Sequence, residues 1–116
     1  MKPAQFQTIP LTQEVTIPAG GTSGNIDFGR LVTLALVHAR SRDADLGIAV
    51  SDQPTCNPMG LTTSAEIGYK AYLTQGSFLP IDVLAGFRSL RITNRDATNA
   101  ITLEVTFGDA AEARDV

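Results

Sequence analysis

The segment Ile101-Thr102-Leu103-Glu104-Val105-Thr106-Phe107 sets apolar side chains at every odd position and polar ones between them. Successive side chains on a strand point to opposite faces, so this pattern predicts a strand that buries one face and wets the other. The same period recurs along most of the chain. Leu11, Val15 and Ile17 alternate with Thr12, Glu14 and Thr16, and Pro18-Ala19-Gly20-Gly21 ends that strand. A short strand over Asn25 to Phe28 carries Ile26 and Phe28 on one side and closes at Gly29. Leu46, Ile48 and Val50 mark another, which Asp52-Gln53-Pro54 stops.

Between Leu31 and Ala39 the alternation fails, because both parities are apolar. One carries Val32, Leu34, Leu36 and His38; the other carries Leu31, Thr33, Ala35, Val37 and Ala39. A strand covered on both sides reads this way. In a small domain the second cover must come from a loop, from the N-terminal arm or from another chain.

Leu61 to Thr74 has the length of a helix, but its apolar residues Leu61, Ala65, Ile67, Tyr69, Ala71 and Leu73 share odd parity. A helical stripe needs steps of three and four, so a strand is predicted, interrupted near Gly68. Leu79, Ile81 and Val83 alternate next, with Pro80 marking a strand start or an edge. After Ala85-Gly86, Leu90 and Ile92 define a strand that a hairpin loop, Asn94 to Asn99, joins to the last one.

Eight or nine short strands with turns between them predict an all-β fold, a single antiparallel β-sandwich of jelly-roll type. The expected division is an extended arm over residues 1–10, a β-sandwich domain over 11–108 and a polar tail over 109–116. A chain of 116 residues suits one domain. With 43% hydrophobic and 18% charged residues, it is expected to fold, and no apolar run approaches the ~18–20 residues of a spanning helix. No apolar h-region of a secretory signal follows Met1.

Candidate chemistry is sparse. His38 is the only histidine and Cys56 the only cysteine, so zinc ligation is not expected and a disulfide framework is excluded. His38 continues an apolar parity near a strand end, as a structural histidine does. Cys56 sits in the loop Pro54-Thr55-Cys56-Asn57-Pro58 with no neighbouring base and reads as an incidental loop cysteine. Asp43 and Asp45 have the spacing of alternating oxygen ligands but lack a third carboxylate in register. Gly20 to Gly24 lacks the lysine and helix of a phosphate loop. Arg88, Arg91 and Arg95 cluster in sequence, yet Arg88 and Arg91 differ in parity and the net charge is −3, so no dedicated nucleic-acid surface is expected. No catalytic residue and no cofactor are expected.

The Pro-containing arm, the segment Leu79-Pro80-Ile81-Asp82-Val83-Leu84 and the closing hairpin from Leu90 to Val105 together resemble small β-sandwich structural proteins of tailed-bacteriophage particles. Capsid decoration, minor capsid and tail-associated proteins make up that class. The resemblance implies a non-enzymatic virion protein that self-associates, trimers favoured, and attaches to other virion structural proteins, with no membrane role. Phe6 and Ile9 on the arm, Leu31 and Val37 on the two-sided strand, and Arg88 and Arg91 are the expected partner-facing residues. A carbohydrate- or receptor-binding β-sandwich is the alternative, although the chain has no Trp and sets Tyr69 and Tyr72 at opposite parity. A small barrel enzyme of cupin type would need a histidine cluster that the chain lacks.

Overall fold

The computed structural model describes Phe6, residues 10–56 and residues 67–111. These form six antiparallel strands: β1 (Leu11–Ile17), β2 (Thr22–Ala39), β3 (Ala44–Ser51), β4 (Ile67–Leu73), β5 (Phe78–Asn94) and β6 (Ile101–Gly108). They join in one sheet in the order β1-β6-β2-β5-β3-β4. The all-β, antiparallel expectation holds. The expected eight or nine strands become six among the described residues, because two expected breaks are bulges that the chain passes through. In β2, residues 28–31 stand against Arg88 alone; in β5, residues 83–86 stand against Thr33 alone. Each bulge holds a glycine with left-handed φ, Gly29 at 83° and Gly86 at 94°. Lacking Cβ, glycine adopts that conformation without steric cost, and the extra residues bend the strand.

The bends let each long strand serve two sets of neighbours. β6 flanks only residues 34–39 of β2, and β3 flanks only residues 46–51 against 89–94 of β5. The sheet therefore curls, and its inner face closes on one core. Ile17, Val37, Ile81, Leu103 and Val105 from one half pack in the same cluster as Ile26, Leu46, Ile48, Leu90 and Ile92 from the other. The final strand buries Ile101, Leu103 and Val105 and leaves Thr102, Glu104 and Thr106 half-buried, as its alternation requires. β4 pairs with β3 without a register shift through Gly68, so the kink expected there is absent. The expected strand residues 61–66 lie outside the described residues.

At Leu34 both sides of β2 are covered, and by the same chain. Ala35, Val37 and Ala39 enter the core at 0% exposure. Leu34 is equally buried but stands outside that cluster, on the other face, where its register partner is Gly108. A Cβ on Gly108 would lie 3.1 Å from Cδ1 of Phe6 and 3.6 Å from Cβ of Pro10. Phe6 also bridges to Ala110, whose N–H donates to Oγ1 of Thr33 at 2.8 Å. Phe6 and Pro10 thus lie over Gly108 on the outer face of the sheet, with Phe6 bridged to Ala110. Phe6→Ala should remove this cover and cost about 1–2 kcal/mol, read as a lowered melting midpoint. An unchanged midpoint would show that Phe6 shields nothing.

Candidate interaction surfaces

On the outer face, one row of residues crosses four strands. Glu14 of β1 lies opposite Glu104 of β6, Glu104 opposite His38 of β2, and His38 opposite Phe78 of β5. Arg40 Nη1 donates to Glu14 Oε2 at 2.8 Å and to Glu104 Oε2 at 3.4 Å. His38 Nδ1 lies 3.2 Å from Glu104 Oε1, and its ring stacks on Phe78 at 4.2 Å and 8°. His38 is thus held structurally between a carboxylate and a ring. Thr12 and Thr106 hydroxyls meet at 3.2 Å in the next row out, and Thr16 and Thr102 meet at 3.1 Å on the other side.

The cysteine belongs to a separate network. Cys56 is buried, which corrects its reading as an incidental loop residue. Its N–H donates to Asn25 Oδ1 at 2.8 Å, and its Sγ lies 3.6 Å from Ala49 O and 3.3 Å from Ser89 Oγ. Buried Ser89 in turn donates to Gln53 O at 2.7 Å. These bonds tie the 52–56 segment to β2, β3 and β5. His38 has no part in them, so the two residues that a Cys-His machine would need serve different neighbours.

Of the expected partner-facing residues, Leu31 is half exposed beside the β2 bulge, and Val37 is not on the surface. Val37 is a core residue because its parity is the one the curl turns inward. Arg88 pairs with Asp27 through two bonds of 2.9 and 3.2 Å, while Arg91 Nη2 donates to Cys56 O at 3.3 Å. Arg95 lies 3.5 Å from Asp45 Oδ1. The three arginines thus hold three different partners and form no common patch. Phe6 packs on its own chain, and Ile9 lies outside the described residues. Asp43 accepts from Gln75 N–H at 2.8 Å and from Tyr72 hydroxyl at 3.3 Å, so it and Asp45 do not converge as ligands. No group of three metal-binding side chains occurs among the described residues.

Sequence reasoning missed Asn94, read only as the start of a hairpin loop. It is buried, and its Nδ2 donates to Asn99 O at 2.8 Å and Pro18 O at 3.2 Å, with Ile17 O at 3.4 Å. Its Oδ1 accepts from Asp96 N–H at 3.0 Å. A polar residue on the buried parity of β5, in step with Leu90 and Ile92, was the available signal.

Two carboxylates are held below the usual range. Asp27 is lowered chiefly by its hydrogen bond from Arg88, then by the Gly29 N–H. Asp96 is lowered by the Thr98 N–H first, then by the Asn99 side chain. A carboxylate with a depressed folded-state pKa stabilises the fold above its unfolded pKa and loses that contribution as pH falls through the folded value. Stability should therefore be flat near neutrality and fall below about pH 4. Asp27→Asn should flatten part of this acid slope in pH-dependent melts; an unchanged slope would refute the pairing.

No family model matches the chain, and no curated protein sequence matches it. Among solved structures it is similar to Peruvianin-I, a cysteine peptidase from Thevetia peruviana latex. That match has a TM-score of 0.54 and 16% identity, covering 86% of this chain and 50% of the peptidase. Drosophila melanogaster CENP-C, solved bound to CAL1, gives a TM-score of 0.50 and 11% identity over 84% of this chain and 63% of that one. The SPBc2 prophage-derived protein YomS gives 0.46 and 15% identity, covering 86% and 95%. The first two likenesses are of fold, and the chain spans 50% and 63% of those proteins.

Proposed function

We propose that this chain is a non-enzymatic structural module that self-associates and attaches to a larger particle, in the manner of a capsid decoration, minor capsid or tail-associated protein of a phage virion. The observation that carries this reading is a sheet that leaves the outer side of one regular edge strand, β1, unpaired among the described residues while its potentially reactive side chains are absorbed in structural contacts. Counting each bent strand as two supports a jelly-roll-like sandwich. One set of four is then β1, β6, the second half of β2 and the first half of β5. The other is the first half of β2, the second half of β5, β3 and β4. Jelly rolls of this connectivity serve widely in viral capsids and lectins. The virion setting rests on the resemblance of the arm and closing hairpin.

A carbohydrate-binding role is the second reading, favoured by Phe78, which is 55% exposed and stacked on His38 beside Glu104. Light scattering combined with a glycan array separates the two. A mass above one chain with an empty array supports the structural role. A monomer that binds glycan overturns it.

A further inference from the structure

The curled sheet has four free edges among the described residues, and three of them are blunted. Residues 78–81 of β5 include Pro80, which lacks an N–H. Residues 22–27 of β2 hold Gly24 at φ 73° and run into the bulge at Gly29. β4 carries exposed Lys70. Natural sheets use such devices to discourage strand addition. β1 is the most regular of the four: it pairs with β6 over seven residues without a shift, contains no glycine, proline or lysine, and carries Glu14 as its single charge.

The direction of its backbone groups follows from β6. Thr102 accepts from Arg40 N–H at 3.2 Å and donates its own N–H to Ser41 Oγ at 3.0 Å, so its backbone groups face away from β1. Alternation then turns Ile101, Leu103, Val105 and Phe107 toward β1, where their partners are Ile17, Val15, Gln13 and Leu11. The groups left at the open edge are the N–H and C=O of Thr12, Glu14 and Thr16.

We infer that β1 is the assembly edge, and that its occupant is β1 of a second copy of this chain, added antiparallel about a two-fold axis at Glu14. This rests on the self-association reading and names its surface. In that register Thr12 faces Thr16 of the second copy and Glu14 faces its counterpart, so all three outward-facing residues form hydrogen-bonded pairs. Leu11, 66% exposed although it shares the parity of buried Ile17, then lies opposite Ile17 of the second copy. On the outer face the threonine rows join end to end, Thr106 and Thr12 of one copy running on to Thr16 and Thr102 of the other. One feature opposes the pairing, because like charges directly opposite repel. Each Glu14 is held by its own Arg40 at 2.8 Å, which tempers this. The unit so built is a dimer, in place of the trimer that the phage resemblance favours.

Glu14→Pro tests the inference, because a proline whose N–H would point outward spares the β1–β6 ladder. At concentrations where the parent is a single chain the variant should melt as the parent does, and it should sediment as a single chain at concentrations where the parent is dimeric. In the parent, the amides of Thr12, Glu14 and Thr16 should be protected from hydrogen exchange at high concentration and lose protection on dilution. Those of Gln13 and Val15 should stay protected throughout. If Glu14→Pro fails to fold, exchange on the parent alone decides. An assembled mass that survives in folded Glu14→Pro, or three edge amides that exchange freely in the assembled parent, overturns the β1 assignment and leaves self-association standing. A parent that stays monomeric removes both.

Discussion

Val105→Asp is expected to leave the chain unfolded at 25 °C. Val105 is 0% exposed, pairs with Gln13 on one side and Val37 on the other, and lies in the core that both halves of the sheet share. A carboxylate there must stay charged without a partner or take up a proton, and either route costs several kcal/mol. Domains of this size have only about 5–15 kcal/mol to lose. Far-UV circular dichroism and a thermal melt read the result. Thr106→Asp, one position along on the outward parity, should shift stability by no more than about 1 kcal/mol. Equal damage from the two would mean that the final strand is buried on both faces.

Asn94→Asp should cost about 3–5 kcal/mol, although the two side chains have the same shape. The asparagine amide donates toward the carbonyls of Ile17, Pro18 and Asn99, which belong to the end of β1, the turn after it and the loop before β6. An aspartate turns that donor into an acceptor facing the same carbonyls, and each buried group left unpaired costs about 1–3 kcal/mol. Denaturant unfolding measures the loss. A change under about 1 kcal/mol would mean that Asn94 does not pin these segments. The pH profile of the variant is a second readout, since a destabilising charge should be relieved as the new carboxylate is protonated.

Period-two alternation made the all-β class and the buried parity legible in residues such as Ile101, Leu103 and Val105. Strand continuity was not legible, because Gly29 and Gly86 read equally as turn residues and as bulges. A glycine with left-handed φ serves either purpose, and only pairing with a partner strand separates them. The two apolar parities of Leu31 to Ala39 signalled a strand covered on both sides, and the structure shows this fully only at Leu34, with Leu36 and His38 half-buried on the outer face. The sequence did not reveal that Phe6 gathers with Pro10 over that outer face at Gly108, since the distance of both from Gly108 along the chain hides the contact. Val37 was placed at a partner surface because alternation alone does not say which of two apolar parities the curl turns inward. The acidic and basic residues of the outer row are distributed over β1, β2 and β6, so the bridge from Arg40 to Glu14 and Glu104 emerges only once the register is known. The single histidine and single cysteine occupy separate neighbourhoods, His38 beside Glu104 and Phe78 and Cys56 beside Asn25 and Ser89, which one strand period could not show.

The central claim is that this chain works by joining copies of itself. Sedimentation equilibrium of the full chain over a wide concentration range tests it most directly. The expected result is a mass that rises from the 12.3 kDa of one chain to a defined multiple of it, with Glu14→Pro held at the lower value. A parent that stays at one chain's mass at every concentration would contradict the claim.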